Sequence, residues 1–419
     1  MTMRAQSRTL LLLNTGVGSN LGDRAMLINV VRQIRDRHPD WMLFVSAQTP
    51  AAIVEEFQLA PTSFLIDCLG RWRFKGRNRI AAVLSRTYIA VFGTVHLTVL
   101  AAWASICDRV GIKPTGRIME AEFVRSVLES DAVYFVGGGY MTDQGKLECR
   151  ALLITGLIAS LLGKPLIMSG QGLGPFKTRV SRWLMRGVAN RATMIGLRDS
   201  GHGLHVLAEI GATTGHAETV CDDAHTLPAW HQVTPESRTI GIHWRVSPHQ
   251  AETARVQAAI EALLDKLVAE GWNVLLFQFH EREKYEASIY RQWLSSGRWP
   301  SARLIKDRDP RVLRAEIARC TVALGMAYHF SVFALAAAVP VLGLWHKPYY
   351  RDKIGGLMTA FGHPEWALDD RGISPDSLYE TLTKMAASDC GPALVKRGSE
   401  LAALHEDWQT RVDTRLSQI

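Results

Sequence analysis

A chain of 419 residues, 47% hydrophobic and 21% charged, has the balance of a soluble globular protein and is too long for one ordinary core. That composition excludes extended disorder, and the length predicts two or more domains. The formal net charge of +8 favours an anionic ligand or surface, but no lysine-rich run or aromatic-basic signature points to nucleic acid.

The basic start and the apolar run Leu10–Leu13 are too short for the core of a signal peptide and no small-residue cleavage site follows, so the run reads as a buried first strand. A Gly-rich turn, GVGSNLGD, leads into a helix over Asp23–Arg37, with Met26, Leu27, Val30, Val31 and Ile34 on one face. WMLFVSA is a second strand. Thr87–Ile106 has no fully charged residue over twenty positions, just enough to cross a bilayer. The preferred reading is a buried helix on a parallel sheet. The other is peripheral membrane contact, with the preceding RWRFKGRNR facing lipid headgroups. AVYFVGGG is a strand stopped by three glycines, Gly145–Leu162 a helix, PLIMSGQGLGPF a strand, Ser181–Ala189 a helix and MIGLRDS a strand.

The polar segment from Asp222 to Arg238, with Pro228 and Pro235, reads as an interdomain linker. A second alternating set follows, with strands in TIGIHWRV, WNVLLFQFH, RLIKD, TVALGM and VPVLGLW, and helices between them. Continuous apolar strands alternating with helices predict parallel sheets covered on both faces. The expected fold is α/β: two Rossmann-like domains facing a cleft, GT-B-like, with C-terminal helices. Residues 1–225 form the first domain, on the acceptor side, and 238–419 the second, on the donor side, with a helical cap. The six cysteines, Cys68, Cys107, Cys149, Cys221, Cys320 and Cys390, stand singly, which signals neither a zinc site nor a disulfide framework and fits a reducing cytoplasm.

Two such domains place ligands at the carboxyl ends of their strands, where the informative residues fall. In GVGSNLGD, Asn20 and Asp23 stand at a helix N-terminus that would welcome an anion, or Asp23 is simply a cap. Gly138 and Gly139 end one strand, and Gln171, in GQGLGP, has an amide to offer a sugar hydroxyl. Arg198 is either a structural partner of an aspartate or a guanidinium that grips carboxylate or phosphate, and Arg245 has the same two readings. His329 is a helix-start residue or a catalyst. Lys353 either is solvated or faces the cleft.

In order and spacing, these segments resemble the polysaccharide pyruvyl transferase family over about residues 10–360. Asn20-Leu21-Gly22-Asp23 resembles the family's Asn-x-Gly-Asp, Gly137–Gly139 its triple glycine, and Gly170–Pro175 its Gly-Gln-Gly-x-Gly-Pro loop. Arg198-Asp199 resembles its Arg-Asp strand end, and His329 with Phe333-Ala334 and Val339-Pro340 its His-x-x-x-Phe-Ala stretch closed by Val-Pro. The resemblance implies transfer of pyruvate from phosphoenolpyruvate to hydroxyls of a sugar or lipid-linked glycan as a ketal, with His329 as acid/base, Arg198 as a phosphoenolpyruvate anchor and neither cofactor nor metal. One position departs: the family carries arginine two residues before that histidine, and here it is Ala327. Arg245 or Lys353 would have to substitute, or the donor differs. The alternatives are a GT-B-type glycosyltransferase using a nucleotide-sugar and a non-catalytic glycan-binding member.

Overall fold

The computed structural model describes residues 8–13, 17–64, 119–199, 201–245, 250–281 and 286–419. The segment RWRFKGRNR and the apolar stretch Thr87–Ile106 lie outside the described residues. The first unit contains β1 (Thr9–Leu13), α1 (Leu21–Arg37), β2 (Met42–Ser46), α2 (Ala51–Glu56), β3 (Ala60–Thr62), α3 (Met119–Glu129), β4 (Ala132–Phe135) and β5 (Gly138–Met141). It continues with α4 (Lys146–Leu161), β6 (Leu166–Leu173), α5 (Arg179–Ala189), β7 (Met194–Leu197), α6 (His202–Glu209) and β8 (Ala217–Thr219). Its strands form one parallel sheet in the order β3-β2-β1-β4-β6-β7-β8, with β5 beside β6.

The second unit contains β9 (Thr239–His243), α7 (Gln250–Ala269), β10 (Asn273–Phe277), α8 (Ala287–Ser295), β11 (Ala302–Ile305), α9 (Pro310–Ile317), β12 (Val322–Gly325), α10 (Tyr328–Ala336), β13 (Val341–Trp345), α11 (Pro348–Ala360) and β14 (Ala367–Asp369). Its sheet is also parallel, in the order β11-β10-β9-β12-β13-β14. The helices α12 (Pro375–Ala387) and α13 (Gly391–Ser417) follow. The fold is thus α/β, two doubly wound parallel-sheet units with a helical C-terminus.

The apolar runs make these strands because both sheet faces are covered. In β1, Leu11 and Leu13 enter a core on one face, while Leu10 and Leu12 enter the core on the other. That is the two-residue alternation of a pleated strand. The switch points of the two sheets lie between β1 and β4 and between β9 and β12, where neighbouring strands lead their chains in opposite directions. Crevices open there at the carboxyl ends.

Two features fix the units against one another. Asn20 forms an isolated antiparallel bridge with His280, reinforced by Leu21 N donating to Phe279 O (3.0 Å) and Glu281 N to Ser19 O (3.0 Å). Beneath that bridge, buried Arg24 donates to Glu281 Oε1 at 3.0 Å and to the Val17 and Gly18 carbonyls at 3.1 Å each. The second feature is α13. It touches both units: near its start Arg397 Nε donates to Ala360 O at the end of α11, and farther along it packs against the first sheet. Trp408 lies against Gly196 of β7, Gln409 donates to Tyr134 Oη (3.1 Å), and Arg411 pairs with Glu218 (2.7 Å). Its apolar face covers a sheet surface that would otherwise meet water.

Candidate active site

The site lies where the two switch points meet. From the first unit come the start of α1, the glycines after β4, the Gly170–Pro175 loop, Arg198 after β7 and Asp222 after β8. From the second come α10 and α11. Gly139, Gly172, Arg198, Tyr328, Tyr349 and Lys353 line one cavity.

Arg198 is held before any ligand arrives. Its backbone N–H donates to Gln171 O at 3.2 Å, and its Nη1 donates to Asp222 Oδ2 at 2.7 Å. The guanidinium carbon stands 4.2 Å from the centre of the Tyr328 ring, a cation–π contact. Burial works against this charge, but Tyr328 and Asp222 outweigh it and keep the group cationic. Lys353, one turn into α11, brings Nζ to 4.8 Å from the same ring. Burial first and then the Arg198 charge lower its ammonium to about 7, with Asp23 and Asp222 opposing. Two cations that repel one another at one ring make a strong anion site.

His329 enters from α10, whose first residues have no side-chain cap. The unpaired N–H groups of that first turn lie at the positive end of the helix. The side chain is 8% exposed, and Nε2 faces Asp222 Oδ2 at 3.6 Å, longer than a hydrogen bond. Burial alone would push Asp222 up. His329 and Arg198, with Ala224 N donating to Oδ1 at 2.9 Å, instead hold its carboxyl well below the usual range. Asp222 therefore stays anionic between the imidazole and the guanidinium and orients both.

Behind His329, a buried relay aims the backbone. Ala327 N donates to His243 Nδ1 (3.2 Å), His243 Nε2 meets Glu286 Oε1 (3.1 Å), and the other Glu286 oxygen accepts from Phe279 N and His280 N. The same Glu286 therefore fixes both the start of α10 and the loop that bridges to Asn20.

The glycines are spaces for these side chains. A Cβ on Gly139 would stand 2.8 Å from Arg198 Nη2 and 2.9 Å from Lys353 Nζ, and one on Gly172 would meet Arg198 Nε at 2.7 Å. Gly137 makes room for Asp223, whose Oδ2 accepts from Gly137 N at 2.8 Å.

Of the residues expected at the site, His329, Arg198, Lys353 and Gly139 come together. Asp23 lies close enough that His329, Lys353 and Arg198 partly offset the upward push of burial on its carboxyl. Arg245 is exposed at the rim, and its charge is among those lowering Lys353. Three residues have their side chains or space committed elsewhere. Gln171 is fully buried, and its Nε2 donates to the Phe135, Val136 and Ser169 carbonyls, so the amide ties strand ends together rather than facing a sugar. Gly138 lies in the short strand β5, where a Cβ would strike the Tyr140 ring at 2.4 Å. Asn20 caps α1, accepting from Gly22 N at 3.0 Å and donating to Asp23 at 2.7 Å.

The linker expectation also needs correction. Asp222, Asp223, Ala224 and His225 are buried in the first unit, because hydrogen bonds and the Arg198 charge satisfy their carboxylates; the exposed stretch starts at Pro228. Asp222, Tyr328 and Tyr349, whose hydroxyl donates to Gly139 O at 3.0 Å, are site residues that sequence reasoning missed. Among the described residues, no group of three His, Cys, Asp or Glu could hold a metal ion.

The sequence pattern of the polysaccharide pyruvyl transferase family matches residues 20–348. The chain belongs to that family. The matched span runs from the Asn20 cap past β13, covering both halves of the cleft. It is also 23% identical, over 283 residues, to the amylovoran biosynthesis protein AmsJ of Erwinia amylovora. That alignment covers 61% of this chain and 66% of the relative, just under two thirds of its length. Similar folds occur in HepE of Anabaena in complex with UDP and glucose (TM-score 0.55, 13% identity, 99% of this chain and 100% of that one). Another is the S. aureus MnaA–UDP structure (TM-score 0.60, 13% identity, 99% and 98%). The calicheamicin glycosyltransferase CalG4 is a third (TM-score 0.52, 10% identity, 99% and 99%). At these identities the likeness shows the fold, which is that of GT-B glycosyltransferases and epimerases.

Proposed function

We propose that this protein moves pyruvate from phosphoenolpyruvate to two hydroxyls of a glycan acceptor, forming a ketal. The supporting observation is Lys353 beside Arg198 over the Tyr328 ring. It supplies a second fixed cation in a chain whose residue 327 is alanine. Carboxylate and phosphate on one small donor call for two such charges, and Arg198 is already held in place by Asp222.

The chemistry then needs one proton donor. Protonation of the enol methylene carbon makes the adjacent carbon electrophilic. One acceptor hydroxyl adds there and loses its proton. Phosphate leaves with its bonding electrons, and the second hydroxyl adds and loses its proton in turn. His329 serves as acid and then base, with Asp222 setting the ring's orientation. Arg198, Lys353 and the first turn of α10 stabilise the departing phosphate. No residue of this set requires a cofactor.

The test is phosphate release from phosphoenolpyruvate with candidate acceptor glycans, run beside nucleotide-sugars as alternative donors. Acceptor-dependent release that disappears in His329→Ala supports the proposal. Calorimetry that detects no phosphoenolpyruvate binding, with Ala327→Arg creating none, overturns the donor assignment. Glycosyl transfer from a nucleotide-sugar would replace it.

A further inference from the structure

The longest acid-free stretch of the first unit carries two helices that pack into the same core on one face of its sheet. No Asp or Glu occurs between Glu148 and Asp199, whereas Lys177, Arg179, Arg182, Arg186 and Arg191 fall within fifteen positions. That stretch includes α4 and α5, which run side by side in the same direction. Arg150 Nη2 meets Thr178 Oγ1 (3.0 Å) near their starts, and Leu157 packs against Gly187 near their ends. The inner face of α5 is ordinary core, with Leu184, Met185 and Val188 buried. The outer face is not ordinary surface. Trp183 is 68% exposed, Val180 52%, and Leu161 at the end of α4 71%. Arg179, Trp183 and Arg186 follow i, i+4, i+7 spacing and so share a face, and all three are exposed.

A tryptophan and a valine flanked along one helix by arginines match the interface of an anionic bilayer. The indole and Val180 would sit at the headgroup boundary while the guanidiniums reach phosphates. The patch also connects to the cleft. A groove lined by Pro175, Phe176, His202, Glu209, Arg351 and Asp352 shares Pro175, His202 and Asp352 with the candidate active site. One of its lining residues, Glu209, pairs with Arg182 of α5 at 3.3 Å.

We infer that the exposed face of α5, with Leu161 of α4, docks the protein on an anionic membrane surface, so that an acceptor glycan carried by a lipid reaches the cleft along the Phe176–Glu209 groove. No helix among the described residues is long and apolar enough to cross a membrane, and the contact assigned here is a peripheral one. The membrane assignment does not depend on which donor the cleft uses.

The experiment is vesicle flotation of the full chain, with phosphatidylcholine alone and with added phosphatidylglycerol, at low and high salt. Wild type is expected to float with the anionic vesicles at low salt and to be released by high salt. Arg186→Glu should weaken binding roughly fivefold or more, as expected for losing one cation at such a surface. Trp183→Ser combined with Arg186→Glu should abolish flotation at an unchanged melting temperature. Wild type that stays unbound overturns the inference. So does a double variant that floats like wild type, which would place the contact elsewhere, including the segment 71–106. A double variant that shifts from dimer to monomer in size-exclusion chromatography, with no vesicle binding by wild type, would make the occupant a second copy of this chain and also overturn it.

Discussion

Gly22, in the first turn of α1, lies directly against the imidazole of His329: a Cβ on residue 22 would sit 1.9 Å from Nδ1 and 2.3 Å from Cγ. The ring cannot yield like the end of a flexible side chain, because His329 is anchored by its own helix and faced by Asp222. In the first unit, this glycine therefore sets the position of a side chain from the second. Gly22→Ala should displace the imidazole and reduce turnover about 10²-fold or more, since misplacement by an ångström is enough to disable a positioned acid. Gly18 provides the control, because a Cβ there meets only Gln48 O at 3.5 Å. Gly18→Ala should retain activity. Equal losses in both variants would show that the loop, not the contact with His329, is sensitive.

His329→Ala separates chemistry from folding. The expected result is a loss of turnover of about 10²–10⁴-fold, typical for removing a general acid, with a small change in melting temperature. The structure supports the small change: Nε2 makes no hydrogen bond that its removal would break. A large drop in melting temperature that accounts for the lost activity would return His329 to a packing role.

Arg198 behaves differently because its partner is buried too. The side chains of Arg198 and Asp222 are each 2% exposed. Arg198→Ala leaves Asp222 as an uncompensated charge and should cost about 3–5 kcal/mol of stability, besides weakening anion binding. Arg198→Met with Asp222→Leu should recover most of that stability while phosphoenolpyruvate binding stays lost. Chemical denaturation and calorimetry on the single and double variants read the two effects apart. If the double variant stays as unstable as the single one, the pair is not the cause.

How far the sequence discloses this site depends on what each residue needs around it. Strands and their ends follow from apolar runs, so His329, Arg198 and the glycines could be placed from the sequence at the carboxyl edges of two sheets. Asp222 could not. Two adjacent aspartates read as solvated chain, and what makes burial of Asp222 tolerable is chiefly Arg198, 24 positions away, with Ala224 N and His329 from the other unit adding to it. The short strand β8 that delivers Asp222 is three residues long, too brief to show a period. Gln171 failed in the opposite sense. Its amide chemistry suits a sugar, but three backbone carbonyls at converging strand ends already claim its hydrogens. The long helix α13 was legible as a helix, but nothing local says which sheet it covers.

Acid stability should be governed by a buried cluster under α13. Burial lowers His225 and His405 to about 4, while burial and the neighbouring Asp222 raise Asp223 to about 7. Unfolded histidine titrates near 6.5 and aspartate near 3.9. Between about pH 4 and 6.5 the unfolded chain therefore binds more protons at the two histidines, and the folded chain more at Asp223. Two groups outweigh one, so this cluster makes stability rise with pH over that window. His405 is fully buried, and neither ring nitrogen has a hydrogen-bond partner. His405→Leu should therefore flatten the rise and improve stability at pH 5 relative to wild type. Melting temperatures across pH 4–7 check it, and an unchanged slope would remove His405 from the account.

Lys353 carries the last prediction. Its ammonium, lowered to about 7 by burial and by Arg198, is charged below that pH and increasingly neutral above it. An anion bound between Lys353 and Arg198 favours the charged form. Phosphoenolpyruvate binding should therefore take up a proton when measured above pH 7, and affinity should fall as pH rises, by at most about tenfold per unit. Calorimetry in two buffers of different ionisation enthalpy measures the uptake directly. Lys353→Met removes the titrating cation, and both the proton uptake and the pH dependence assigned to it should vanish while Arg198 retains weak binding. Ala327→Arg, placed at the cap of α10 where the resemblance to the family implies an arginine, should restore affinity to Lys353→Met and make it nearly independent of pH, because arginine stays protonated throughout. If Lys353→Met binds phosphoenolpyruvate like wild type and keeps the proton uptake, Lys353 is not the substitute for the missing arginine.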